Sequence, residues 1–338
     1  MEFMLNIPVL KAEQRIAHQQ NILSIGSCFT EHIGKALKNL KFNVLQNPNG
    51  ILFDPASVSS SIISYINNDQ SEDDDLFQLG EIWNHWHYHS RFSGTDKNEV
   101  LNNINASLNE AHNYLKGANW LVITLGSAFS YQLTSEAIDE KKFNGLFQDK
   151  NHVANCHRAP AQWFQKYLMH VDEIIANLDN AIHQLFGFNE HINIIFTISP
   201  VRHIRDGVVE NNRSKARLIE SVHHLVAKSD RLYYFPSYEL VIDVLRDYRF
   251  YSEDMVHPNY LATDFVLNHF IETFISEESQ DVIREIKKLN AARNHKSTYP
   301  HTNAHQQFLK HNLEKTMSLE KKFPFLDLED EINYFSNK

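Results

Sequence analysis

Only two cysteines, Cys28 and Cys156, occur among 338 residues, which excludes a disulfide framework and leaves two reduced thiols as the expectation for a cytoplasmic protein. Basic residues are also in deficit: 32 Lys and Arg stand against 42 Asp and Glu. The resulting net charge of −10 argues against a general nucleic-acid binder, because phosphate backbones are held by clustered Lys and Arg. A neutral or cationic small substrate fits that balance better. No run approaches the ~18 apolar residues of a membrane-spanning helix. The first residues, MEFMLNIPVLKAEQ, lack a basic segment followed by an apolar one. The expectation is a cytoplasmic protein with neither a nucleic-acid nor a membrane partner. Internal repeats of useful length are missing too.

What is present is a globular composition. With 42% hydrophobic and 22% charged residues, the chain lies outside the low-hydrophobicity regime of disorder and is long enough to bury a full core. Short apolar runs ending in turns at 21–26, 42–45, 120–126, 192–200 and 231–236 read as strands buried on both faces. Helical spacing is found at 30–40, 100–115, 161–186, 214–228, 238–248 and 259–274. Strands alternating with helices predict an α/β fold, a three-layer αβα sandwich around a mostly parallel sheet, with ligands at the C-terminal ends of the strands. From about Ser276 the chain turns polar. The expected organisation is therefore an α/β domain over residues 1–275 and a C-terminal, partly helical extension over 276–338. The acidic segment Asp69–Asp75 reads as a solvated loop.

The first strand runs into Gly26-Ser27-Cys28-Phe29-Thr30, which places a hydroxyl and a thiol at the N-terminus of a helix. The helix dipole and unpaired N–H groups there favour a thiolate and an oxyanion. The same residues also suit a Ser N-cap beside a small buried Cys. Far along the chain, Ser252-Glu-Asp254-Met-Val-His257-Pro258-Asn259 sets an acid three residues before a histidine. One loop turn can bring that carboxylate to Nδ1 and leave Nε2 to accept a proton from a nucleophile.

A competing constellation is Trp83-Asn-His85-Trp-His87-Tyr-His89-Ser-Arg91. If it is a strand, period-2 geometry puts three histidines on one face and Ile82, Trp86, Tyr88 and Phe92 on the other. Three imidazoles with an open position are a catalytic zinc arrangement. Same-face neighbours on one strand lie about 7 Å apart, however, which makes chelation of one tetrahedral ion difficult. The alternative is a half-buried strand whose polar face lines the cleft, so no metal and no cofactor is assigned.

The motif at 26–30 resembles the one that names the GSCFA family, with Thr30 in place of the final Ala, and that family is grouped with the SGNH/GDSL hydrolase-like proteins. The likeness runs from Asn21 to about Phe274, through Asn47-Pro-Asn-Gly-Ile-Leu-Phe-Asp-Pro55, Leu125-Gly-Ser-Ala128, Val153-Ala-Asn-Cys-His-Arg158 and Ser199-Pro-Val-Arg-His203. It implies an SGNH/flavodoxin-like sheet, with Cys28 at the nucleophile position and Ser27 as runner-up. Asp254 and His257 match the closing acid–histidine pair. Gly50 sits where the family's second block supplies an oxyanion N–H. The third block calls for Gly-x-Asn, but here Gly126-Ser127 is followed by Ala128, so the side-chain donor is missing. Ser127, Asn155 or Arg158 could replace it, although 155–158 also reads as a hydrogen-bonded loop anchor. His203 is either a substrate contact or a solvated side chain.

These readings combine into an esterase or acyltransferase working through an acyl-enzyme on a small acyl ester. The resemblance alone points to an O-acetylated carbohydrate. The alternatives are a non-catalytic ligand-binding protein on the same scaffold and a metallohydrolase built on His85, His87 and His89.

Overall fold

The computed structural model describes residues 5–7, 12–135, 137 and 152–336. Much of the N-terminal stretch without a targeting pattern, residues 1–4 and 8–11, lies outside them. The chain begins β1 (Asn21–Gly26), α1 (Cys28–Asn39), β2 (Asn43–Gln46) and α2 (Pro55–Asn67). A hairpin of β3 (Leu76–Leu79) and β4 (Ile82–His85) leads to α3 (Lys97–Lys116) and β5 (Trp120–Leu125). A second antiparallel pair, β6 (Phe129–Leu133) and β7 (Phe164–Leu168), precedes α4 (Val171–Phe188), β8 (Asn193–Ile198), α5 (Val208–Val226) and β9 (Leu232–Phe235). Next come α6 (Tyr260–Phe274), α7 (Glu277–Asn294), α8 (Asn303–Lys322) and α9 (Glu329–Ser336).

The five apolar runs form one parallel sheet in the order β2-β1-β5-β8-β9. β5 and β8 are buried at every position, as strands covered on both faces must be. Alternate residues feed two cores. Ile22, Val122 and Ile195 pack with α1 and α6, while Leu23, Leu121, Ile123, Ile194 and Phe196 pack with α2, α3, α4 and α5. This is the expected three-layer sandwich. From β1 the chain goes outward to β2, then returns to β5 on the other side and continues through β8 to β9. The crevice between the C-terminal ends of β1 and β5 is therefore the topological switch point, where ligands bind in such sheets.

Three segments depart from the sequence reading. The helix expected over 161–186 begins only at Val171, because residues 164–168 pair with β6, a partner too distant in sequence for local periodicity to reveal. The expected helix over 238–248 is a short turn at 237–239 that runs into a π-helical segment, 240–245, and stops at Arg246 in a left-handed conformation. The alternation at 83–91 is not one strand. β4 ends at His85 and a short 3-10 turn occupies 90–92, so Ile82 is exposed while Trp86 and Tyr88 are buried.

The C-terminal helices extend the α1–α6 side of the core through Val282, Ile283, Ile286, Leu319, Leu326 and Leu328. Glu331 on α9 is 2% exposed and forms ion pairs with Lys41 just past α1 (2.7 Å) and Arg293 at the end of α7 (2.9 Å). Both cations keep partial contact with water, so the cost of losing the carboxylate falls between those of surface and buried pairs. Glu331→Ala is expected to lower the stability read from a denaturant-unfolding midpoint by about 1–3 kcal/mol.

Candidate active site

β1 ends at Gly26 for a steric reason. Its φ is +134°, and a Cβ there would stand 2.1 Å from the Thr124 carbonyl oxygen on β5. The next N–H, of Ser27, donates to that same oxygen at 3.0 Å. Ser27 is fully buried, and its Oγ accepts from the Phe29 N–H (3.3 Å) as the N-cap of α1. Cys28 is the first residue of α1 and remains half-buried. Burial pushes that thiol up and the Glu31 carboxylate adds to the rise. The N–H groups of Cys28 and Phe29 and the charge of Lys215 act in the opposite direction.

Asp254 and His257 are held by their loop. Asp254 Oδ1 accepts from the N–H groups of Val256 (2.9 Å) and His257 (3.0 Å), while Oδ2 lies 2.6 Å from His257 Nδ1. Led by the His257 backbone N–H and followed by its ring, these bonds hold the Asp254 carboxyl down at about 2. With Nδ1–H assigned as donor to the carboxylate, Nε2 is the free acceptor. A bond from the Ser252 N–H to the His257 carbonyl (2.8 Å) closes the loop, and Asn259 caps α6 directly after it. The His257 ring is exposed and lies within electrostatic range of His203 and of His32. His32 is one helical turn beyond Cys28 on the same face of α1. The structure thus brings the loop pair to the strand-end helix.

The groups expected to bind an oxyanion are differently engaged. The Gly50 N–H donates to the Asn47 carbonyl at 2.7 Å, and the N–H groups of Gly126 (2.8 Å) and Ser127 (3.0 Å) both donate to the Phe53 carbonyl. Ser127 Oγ accepts from the Phe129 N–H (3.0 Å) and lies 3.3 Å from Ser214 Oγ. Asn155 accepts from the His157 N–H (2.8 Å), as a loop anchor does, and Arg158 is exposed with φ +60°. His203 sits against the site. Its Nε2 is buried without a hydrogen-bond partner, and a Cβ on Gly126 would lie 3.3 Å from that Nε2 and 3.2 Å from Ser27 Cβ. Burial, then the charge of Lys215, lowers His203 to about 4, so its ring is neutral at neutral pH.

The histidine segment borders the cleft without gathering into a cluster. His85 Nδ1 accepts the His87 N–H (3.1 Å) and His89 Nδ1 accepts the Arg91 N–H (3.2 Å), which occupies the lone pairs a metal would need. Among the described residues, no group of three His, Cys, Asp or Glu side chains is close enough to hold a metal ion. His89 instead packs its Cβ on Gly50, and Arg91 reaches the Asn47 carbonyl and Glu31.

Sequence reasoning missed Lys215, which is 1% exposed on α5. The available signal was its place among the buried positions Ser214, Leu218, Ser221, Val222 and Leu225, where a lysine is out of character.

A half-buried thiol at a strand-end helix, and a histidine paired with a carboxylate within electrostatic range of that helix, make the candidate site of an α/β protein. Residues 21–270 match the GSCFA family and residues 286–338 match the C-terminal domain of GSCFA proteins, so the chain belongs to the GSCFA family. No curated protein matches it. Among solved structures, it is similar to a carbohydrate esterase family 3 protein from Talaromyces cellulolyticus, at 9% identity, covering 80% of this chain and 99% of that one, with a TM-score of 0.35. A family 3 carbohydrate esterase from Clostridium thermocellum gives 9% identity, 80% and 98% coverage and a TM-score of 0.35. The acetyl xylan esterase Est2A from Butyrivibrio proteoclasticus gives 10% identity, 79% and 64% coverage and a TM-score of 0.32. Among the described residues, no helix is long and apolar enough to cross a membrane.

Gly50 has φ +82°, and a Cβ there would stand 2.2 Å from His89 Cβ. Gly50→Ala is expected to cost about 1–3 kcal/mol from the left-handed backbone alone, with more from the displaced His89 segment. Thermal unfolding monitored by circular dichroism checks it.

Proposed function

We propose that the chain is an esterase or acyltransferase in which Cys28 is the nucleophile, His257 the base and Asp254 the group that orients the base. The substrate is a small acyl ester, with an O-acetylated carbohydrate as the candidate class. The observation that carries this reading is the 2.6 Å Asp254–His257 pair set within range of the Cys28 face of α1. Ser27 is not a nucleophile in this scheme, because its hydroxyl is buried and spent on the cap. A thiol raised by burial is protonated at neutral pH, so Cys28 needs a general base rather than acting as a standing thiolate.

In the first step Cys28 Sγ attacks the carbonyl carbon while its proton passes to His257 Nε2. The tetrahedral adduct collapses, the ester C–O bond breaks, and the leaving alkoxide takes that proton. Water or an acceptor hydroxyl, deprotonated by His257, then attacks the thioester and releases the thiol. The Cys28 N–H at the head of α1 and the neutral ring of His203 are the donors assigned to the oxyanion, with His203 in the role of the absent Asn. Asn155 and Arg158 are assigned to the rim. The α/β domain, residues 1–275, carries these groups, and the extension over 276–338 carries none. A cytoplasmic setting, where Cys28 stays reduced, suits the chemistry.

The engaged N–H groups of Gly50, Gly126 and Ser127 favour a second reading, a ligand-binding protein on the same scaffold. Incubation with an activated acetyl ester, an acid quench and peptide mapping by mass spectrometry separate the two. Acetyl label is expected on Cys28, with His257→Ala slowing acylation by about 10²–10⁴-fold. Label on Ser27 would overturn the assignment of the nucleophile, and no label on either residue would favour the binding protein. His203→Ala is expected to lower kcat by about 10²–10³-fold with little change in KM, as removal of an oxyanion donor does.

A further inference from the structure

Lys215 occupies a position on α5 whose neighbours at helical spacing, Leu218, Val222 and Leu225, are core residues. An ammonium is retained where a hydrophobic side chain would serve packing better, so its partners must account for it. Nζ donates to the carbonyl oxygens of Gly126 and Ser199, both at 2.6 Å. These are the residues that directly follow β5 and β8. The Tyr238 ring lies 5.8 Å away and faces the remaining side of the ammonium. Cys28 lies across the strand ends, within range of the Lys215 charge, and His203 is kept neutral by burial first and by that same charge second.

We propose that Lys215 is a positioning residue for the reaction at Cys28: it ties the C-terminal ends of β5 and β8 together behind the nucleophile and supplies, from inside the protein, the positive charge that steadies Cys28 as a thiolate. This rests on Cys28 being the reacting group. No bond to Lys215 forms or breaks, since the thiol proton goes to His257 and the lysine keeps its own. The other charged or titratable groups facing the pair are Glu31 on α1, His203 on its loop and Tyr238, with His257 in range of His203 and of His32 beyond them.

The linkage has a definite sign. Burial lowers Lys215 to about 7, and the negative charge of a Cys28 thiolate raises it again. With the thiol protonated, the ammonium is present below that pH and lost above it, while ionisation of Cys28 holds the proton on the lysine. The two groups titrate as a pair.

The test measures the alkylation rate of Cys28 by iodoacetamide against pH in the full-length chain, with Cys156 told apart by peptide mass spectrometry. Lys215→Met removes the charge at similar length, and Lys215→Arg keeps it. The Met variant is expected to move the Cys28 profile up by about one pH unit and to slow alkylation near neutrality by about tenfold, while Arg retains most of the wild-type rate. A folded Met variant with an unmoved profile overturns the proposal. If Lys215→Met does not fold, the wild-type profile decides: a step near neutrality below the thiol's own supports the pair, and a single step overturns it. Alkylation needs no ester, so an unacylated Cys28 would sink the proposed reaction and leave this outcome readable.

Discussion

The approach of Gly26 to Thr124 is the contact on which the rest of the site depends. A side chain at Gly26 would occupy the place of the Thr124 carbonyl oxygen, and only a glycine takes φ +134° without strain. The same residue gathers the neighbouring loops. Its N–H donates to Asn47 Oδ1 at 2.9 Å, and its carbonyl accepts from the Leu52 N–H at 3.0 Å. β1, β5 and the segment after β2 are thus joined at one point, and α1 can begin only there. Cys28, the first residue of α1, therefore stands at the switch point of the sheet.

Around that point, similar side chains sit in different environments. His257 sits at the surface with a carboxylate fixed to its Nδ1, which leaves Nε2 as the acceptor. His203 sits a few residues past β8 with its Nε2 unpaired, and burial, then the charge of Lys215, keeps it neutral against the smaller opposing pull of Asp206. The two imidazoles lie within electrostatic range of each other and differ in solvation, one exposed and one buried. Glu31 and Lys215 bracket Cys28 with opposite charge, one from the surface turn of α1 and the other from the core.

The alternating histidines at 85, 87 and 89 illustrate how a clear pattern can mislead. Period-2 spacing is a statement about an extended strand, and it fails once the chain turns after His85. Backbone N–H groups then occupy Nδ1 of two of the rings. The segment's service to the cleft is steric: the His89 side chain packs against Gly50 and Arg91 braces the Asn47 turn.

The parallel sheet, several of the helices, and the nucleophile and acid–histidine candidates were legible in the sequence, because each is written in local spacing: unbroken apolar runs, a Ser before a helix, an Asp three residues from a His. The strand at 164–168 was not, since its partner is β6, and a ladder between distant segments leaves no local trace. The same limit concealed what each donor does. Gly50, Gly126 and Ser127 are where the motifs put them, yet the carbonyls that take their N–H groups, Asn47 and Phe53, are chosen by loop geometry. Lys215 reads in sequence as one misplaced charge on a helix, and only packing turns it toward Gly126, Ser199 and Cys28. Local pattern determined which groups this chain possesses. Tertiary structure decided which of them meet, because hydrogen bonding and burial between segments far apart in the chain are set by the fold and not by spacing.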